Sequence, residues 1–180
     1  MKYKIILADP PWHYNDKAVA GARGAESKYP VMTIEEIKNL RVNGIAVKDI
    51  ADKDSILFLW ITFPQLEIAF DIINAWGFTY KTLGFNWIKK TKNGKNFIGM
   101  GHYTRSNAEV CLIATRGRPT ILDHSISSIV ETIPERHSAK PTIVHDLIVR
   151  LCGQLPRIEL FARERVSGWT TWGNDVNQKS

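Results

Sequence analysis

The sequence predicts a layered α/β domain, and three observations carry that prediction. Strand-like and helix-like segments alternate along the chain without repeats or low-complexity tracts, the pattern of a sheet covered by helices. Three of the strand candidates are apolar enough to be buried in the middle of such a sheet. The 180 residues, 44% hydrophobic and 23% charged, suit one substantial core, and residues 1–180 are read as a single domain.

Lys4 to Ala8 is the first buried strand. Residues 13–31 carry Gly21, Gly24, two alanines and mixed charge without a period, which predicts a long loop; loops of that length are often binding loops or lids. Thr33 followed by Glu36 has the spacing of a capping box and opens a short helix, so Glu35 and Glu36 are explained by capping and the helix dipole rather than by catalysis. Ser55 to Ile61 is the second buried strand. Pro64 opens a helix whose Leu66, Ala69, Phe70, Ile73 and Trp76 share a face, ended by Gly77. Phe78 to Lys89 and Ala108 to Ala114 are further strands, joined through a basic turn at Lys89–Lys95. Pro141 to Leu151 is the best-marked helix, with Ile143, Val144, Leu147, Ile148 and Leu151 on one face and Gly153 after its end. Arg157 to Ala162 and Trp169 to Trp172 complete the strands.

Composition narrows the function. The formal charge of +6 favours a polyanionic partner. Cys111 and Cys152 form no CxxC, and a reduced cytoplasmic setting is expected. No leader-like or membrane-spanning stretch is present in the sequence, so a soluble protein without a membrane partner is expected. No GxGxxG follows a strand; Gly99-Met100-Gly101 continues into His102, Tyr103 and Thr104. There is no GxxxxGK loop, no GxSxG elbow and no HExxH, and the five histidines share no spacing with cysteine. Kinase, serine-hydrolase and metal-hydrolase chemistry lose support, and no metal is expected.

Asp9-Pro10-Pro11-Trp12 directly follows the first strand, and in open α/β sheets ligands bind outside the carboxyl ends of strands. A turn aspartate is the ordinary role of an Asp-Pro pair. These four residues also suit chemistry on the exocyclic amine of a flat base. That amine is a poor nucleophile because its lone pair is delocalised into the ring. A carboxylate and a backbone carbonyl, each accepting one of its hydrogen bonds, turn the lone pair out of the ring plane. Consecutive prolines restrict the backbone that carries the Pro10 carbonyl, and Trp12 offers a stacking face.

Further segments extend the pattern over nearly the whole chain: Tyr29-Pro30-Val31-Met32-Thr33, Leu57-Phe58-Leu59-Trp60-Ile61-Thr62, Ala75-Trp76-Gly77-Phe78, His137-Ser138-Ala139-Lys140-Pro141 and Glu159-Leu160-Phe161-Ala162-Arg163. With Asp9–Trp12 they resemble the signature of the DPPW-type N6-adenine methyltransferases. That family includes the catalytic subunit of the eukaryotic messenger-RNA adenosine methyltransferase and smaller bacterial and phage relatives. The resemblance implies a Rossmann-like methyltransferase fold in permuted order, with a mixed, mostly parallel sheet and the catalytic motif ahead of the cofactor half. It implies S-adenosylmethionine as cofactor and direct transfer of its methyl group to the adenine amine.

The resemblance also implies roles for single residues. Lys140, a cation at the positive end of the Pro141 helix, is assigned to the cofactor carboxylate; there the helix dipole disfavours it by about 0.3–1 kcal/mol unless an anion binds. Arg163 falls near the ribose, and Arg165 stands where the messenger-RNA enzyme has histidine. Asn174 matches an asparagine beside the cofactor adenine, and Asp175 replaces a glutamine at a hydroxyl-binding position. Tyr29 falls beside the substrate pocket. Lys89, Lys90, Lys92, Lys95 and Arg105 either track phosphates or form a solvated basic hairpin.

The chain begins three residues before its first predicted strand, so closure of the cofactor site is expected to fall to a second chain or to the 13–31 loop. Pairing with itself or with a related subunit is left open by family habit. The expected reaction is adenine-N6 methylation of DNA. The same reaction on RNA is one alternative, and a non-catalytic nucleic-acid-binding partner is the other. The choice of DNA rests on analogy with the small relatives.

Overall fold

A computed structural model describes residues 1–12, 32–134 and 139–173. The elements run β1 (Tyr3–Ala8), α1 (Ile34–Lys38), β2 (Arg41–Val42), β3 (Ile45–Ala46), α2 (Val47–Ile50), β4 (Ala51–Ile61), α3 (Leu66–Ala75), β5 (Thr79–Lys89), β6 (Ala108–Arg116), β7 (Ile129–Thr132), α4 (Ile143–Cys152), β8 (Arg157–Leu160) and β9 (Thr170–Trp172). Seven strands form one sheet in the order β7-β5-β6-β4-β1-β8-β9. Strand β6 lies antiparallel between β4 and β5, while β1 pairs in parallel with β4 and β8, β8 with β9, and β5 with β7. This is the mixed, mostly parallel Rossmann-like sheet that the family resemblance implies, and the first strand of the chain lies inside it, between β4 and β8.

The pleat divides the core in two. Ile6, Ala8, Leu57, Leu59, Leu112 and Leu160 face Ile37 of α1, Val47 and Ile50 of α2 and Ala69, Ile72 and Ile73 of α3. Ile5, Leu7, Phe58, Trp60, Trp87 and Cys111 face Val144, Ile148 and Cys152 of α4. Helices therefore cover both faces, which is why β1 and most of β4 read as unbroken apolar runs.

The capping box forms as expected: Thr33 Oγ1 accepts from the Glu36 backbone N–H, and Glu36 accepts from the Thr33 backbone N–H at 2.7 Å. Other boundaries differ for physical reasons. Pro64 sits in a single 3₁₀ turn, Phe63–Gln65, and the α-helix proper begins after it. Pro141 likewise lies in a tight first turn, where Val144 N–H bonds the Pro141 carbonyl at 3.1 Å, and α4 starts at Ile143. Strand β4 begins four residues earlier than its apolar run, because Asp52, Lys53 and Asp54 lie at its less buried end. The β2–β3 hairpin turns on Asn43-Gly44, both at positive φ (50° and 83°). The 13–31 loop lies outside the described residues.

Candidate active site

The site is built where β1 ends. Side chains alternate along a strand, so Asp9 follows Ile5 and Leu7 onto the face covered by α4. There its Oδ2 accepts a 2.8 Å hydrogen bond from Lys140 Nζ. Lys140 also pairs with Glu109 Oε2 at 3.1 Å, and the other oxygen of Glu109 binds Lys89. Two carboxylates and two ammonium groups thus form a chain, Asp9–Lys140–Glu109–Lys89, across the carboxyl edge of the sheet. Aromatic faces line it: Lys140 Nζ lies 5.6 Å from the centre of Trp60, and Lys89 Nζ 4.9 Å from that of Trp87.

Burial and pairing compete at Lys140 and Glu109, and pairing prevails at both. Burial pulls the Lys140 ammonium toward its neutral form, but Asp9 and Glu109 together hold its pKa above the ordinary lysine value. Burial raises the Glu109 carboxyl, and Lys140 and Lys89 outweigh that and hold it below the usual carboxylate range. At the nearby Cys111 thiol Lys140 opposes the shift but is outweighed. Burial, with Asp9 adding to it, pushes its pKa well up, and burial alone pushes Cys152 up to about 12. Both cysteines are free and buried.

The prolines and Trp12 fix the backbone beyond Asp9. The Pro10 carbonyl accepts from the Trp12 N–H at 2.9 Å, and the Pro11 carbonyl from the Met32 N–H at 3.2 Å. Trp12 is buried in the core, and its indole N–H points to the Trp60 carbonyl at 3.3 Å. The stacking face expected from the sequence is thus turned inward in this structure. The indole anchors the motif to β4, because burying a large ring and satisfying its N–H act together.

Beside β1, the end of β8 makes the second wall. Phe161 adopts a left-handed φ of 63°, the Ala162 N–H bonds the Trp172 carbonyl at 3.0 Å, and a Cβ on Gly173 would overlap the Ala162 backbone. The backbones after β8 and β9 therefore pass in contact, with half-buried Arg163 at the turn and Arg165 exposed beyond it. Below this turn, His145 of α4 meets Glu159 Oε2 at 2.8 Å, with its other nitrogen 3.1 Å from the Thr142 carbonyl. Burial lowers the His145 pKa, but Glu159 overrides it and the net shift is upward.

The structure brings Asp9, Pro10, Pro11, Trp12 and Lys140 together and sets Arg163 at the adjoining strand end. Tyr29, Asn174 and Asp175 lie outside the described residues. Of the basic residues, Lys89 belongs to the buried chain and Lys90 pairs with Glu131 at 2.8 Å; Lys92, Lys95 and Arg105 are exposed on the β5–β6 connection. Sequence reasoning missed Glu109 and the Lys140–Asp9 contact. A signal for Glu109 existed: it is a lone carboxylate opening an apolar strand, two residues from Cys111 and on its face. Among the described residues no group of three or more His, Cys, Asp or Glu could hold a metal ion, and no helix is long and apolar enough to cross a membrane.

The Rossmann-like sheet carries its acidic-proline motif at the end of an internal strand, and the sequence places it among methyltransferases. The chain belongs to the MT-A70 family, whose sequence model matches residues 3–175. It is 33% identical over 193 residues to the type II methyltransferase M.MunI of Mycoplasma sp, covering 97% of this chain and 78% of that protein. It is 29% identical to the N(6)-adenosine-methyltransferase MT-A70-like protein of Drosophila melanogaster and 26% identical to the N(6)-adenosine-methyltransferase catalytic subunit METTL3 of Homo sapiens. Each of these matches covers 98% of this chain but only 27% and 28% of the longer proteins.

Proposed function

We propose that this methyltransferase uses S-adenosylmethionine to methylate the N6 amine of adenine in DNA. The observation that carries the reading is the placement of Asp9, at the end of an internal strand, tied by Lys140 and followed by a backbone-restrained Pro10 carbonyl. A carboxylate offers about four acceptor sites and a carbonyl two. Asp9 and the Pro10 carbonyl therefore retain acceptor capacity beyond their bonds to Lys140 and the Trp12 N–H. Each would take one hydrogen bond from the adenine amine and so aim its lone pair out of the ring plane. Adenine in a duplex would first be extruded, at a cost of a few kcal/mol.

The residues present suit the cofactor. Its sulfonium carries the electrophilic methyl group when bound, and its carboxylate matches Lys140, the cation that pairs with both Asp9 and Glu109 at the end of the sheet. Arg163 at the end of β8 suits the ribose side, with Arg165, Asn174 and Asp175 as further contacts by family resemblance. Lys140 would divide its three donors among Asp9, Glu109 and the cofactor carboxylate. DNA is favoured by the likeness to a type II methyltransferase over 78% of that protein's length, against about a quarter for the RNA-adenosine enzymes.

The test is transfer of radiolabelled methyl from S-adenosylmethionine to matched duplex DNA, single-stranded DNA and RNA, with Asp9→Ala and Asp9→Asn alongside. Label on DNA adenine, lost in both variants, is expected. Label confined to RNA would keep the motif's role and overturn the substrate. Absence of both transfer and cofactor binding would favour a non-catalytic partner subunit.

A further inference from the structure

The connection from β5 to β6 leaves the sheet at the edge where Asp9 lies. From Lys89 to Ala108 the sequence holds five cations, Lys89, Lys90, Lys92, Lys95 and Arg105, and no aspartate or glutamate. Its outer part is apolar and uncovered: Ile98, Met100 and Tyr103 are 71%, 85% and 102% exposed. Large apolar side chains left exposed beside charged ones mark a candidate interaction site.

The arm has a defined course. Phe97 N–H bonds the Lys89 carbonyl at 2.8 Å, and Gly99 N–H bonds the Ser106 carbonyl at 2.7 Å. A Cβ on Gly99 or Gly101 would overlap the carbonyl oxygen of Ser106 or Thr104, so this doubling-back needs glycine at both positions. It leaves the Met100 and Tyr103 side chains outward. At its base the arm is joined to the site through Lys89, Glu109, Lys140 and Asp9. Its position relative to the carboxylate that would receive an adenine is thereby set.

A cation rim without carboxylates matches a polyanion, and an apolar, aromatic tip matches a stack of bases. Base-paired nucleic acid has both. Apolar side chains enter base steps and part them, and extrusion of an adenine leaves a gap in the stack. We infer that residues 98–103 form a wedge for duplex DNA. Tyr103 and Met100 enter the stack beside the extruded adenine, while Lys92, Lys95 and Arg105 contact flanking phosphates. This rests on the proposed adenine-methylating function.

The test compares the wild type, the double variant Met100→Ala, Tyr103→Ala, and Tyr103→Trp. Methyl transfer and binding affinity are measured on one target sequence as duplex, as single strand, and as a duplex with the target adenine mismatched. The double variant is expected to lower the duplex-to-single-strand ratio of kcat/KM by about tenfold or more, the scale of one lost base–aromatic stack. The mismatched duplex should recover most of that loss, and Tyr103→Trp should keep a ratio near the wild type's. Equal losses on duplex and single strand, or no loss on either, would overturn the wedge. So would a wild-type dimer that the double variant dissolves in sedimentation, which would give the tip to a second copy of the chain. Loss of binding to phosphatidylglycerol vesicles with an unchanged duplex ratio would give it to a membrane surface instead. If the wild type methylates no substrate, the function reading fails and affinity decides the wedge: weaker duplex but not single-strand binding by the double variant supports it, and equal affinities overturn it.

Discussion

Two charged regions share one edge of the sheet and obey opposite physics. In the Asp9–Lys140–Glu109–Lys89 chain every ionised group has a partner, and the side chains of Asp9, Lys140 and Glu109 are at most one-fifth exposed. On the adjoining arm Lys92, Lys95 and Arg105 stand in solvent. Buried pairs cost much to desolvate and much more to break, whereas exposed charges contribute little to folding and act on what approaches. The difference teaches where to look for stability and where for binding: the buried chain holds the site's shape, and the arm offers unspent positive charge.

Breaking the buried chain at its centre should give the largest effect. Lys140→Ala leaves Asp9 and Glu109 facing one another without their shared cation, and about 3–5 kcal/mol of stability should be lost, read as a lower urea midpoint at pH 7. A loss under about 1 kcal/mol would mean that water already screens the chain. Glu109→Gln keeps the shape and removes one charge, and roughly 2–3 kcal/mol should go. The acid limb tests the cause. Glu109 has its folded pKa lowered below 4.5, so its contribution is present above that unfolded value and is lost as pH falls through the folded one. Unfolding of the wild type should therefore steepen in acid more than that of Glu109→Gln, and parallel acid limbs would remove Glu109 from the account.

The outline of the fold was legible in the sequence because helices on both faces make β1 and most of β4 read as apolar runs, and because Thr33–Glu36 and Pro141 mark helix starts in ordinary chemical terms. The short pieces were not read. Strand β7 has four residues at an exposed edge, too few for periodicity, whereas the β2–β3 hairpin carries a legible Asn43-Gly44 turn signal. At the candidate site, Asp9–Trp12 stand out by motif and Lys140 by resemblance. Their contact does not: 131 residues separate Asp9 from Lys140, and only the placement of α4 over β1 joins them. Trp12 shows the reverse limit. An aromatic residue in such a motif suits stacking and anchoring equally, and in this structure Trp12 is buried with its N–H on the Trp60 carbonyl.

The His145–Glu159 pair ties α4 to β8 just below the site and is a milder version of the buried chain. Its histidine pKa is raised above 6.5, so the stabilisation is fully present below that value and is lost as pH rises through the folded pKa. His145→Gln should cost roughly 1–2 kcal/mol at pH 5.5 and progressively less at alkaline pH. A pH-independent cost would show that the ring's packing on Trp169, 5.1 Å away, matters more than its charge.

The exposed arm should give the smallest stability effect and the clearest contrast. Lys92→Ala with Lys95→Ala should change unfolding free energy by no more than about 0.5 kcal/mol, since neither side chain is buried. Their effect belongs to binding. Each phosphate neutralised releases counterion, so the slope of log affinity for duplex DNA against log salt should fall by about 0.9 per contact, close to 2 for the pair. An unchanged slope would make the arm's lysines a solvated surface, and the two regions would then differ in burial alone. A slope that falls while the urea midpoint stays fixed would separate the functions completely, because the same charge type would act through folding at Lys140 and through a polyanion at Lys92 and Lys95.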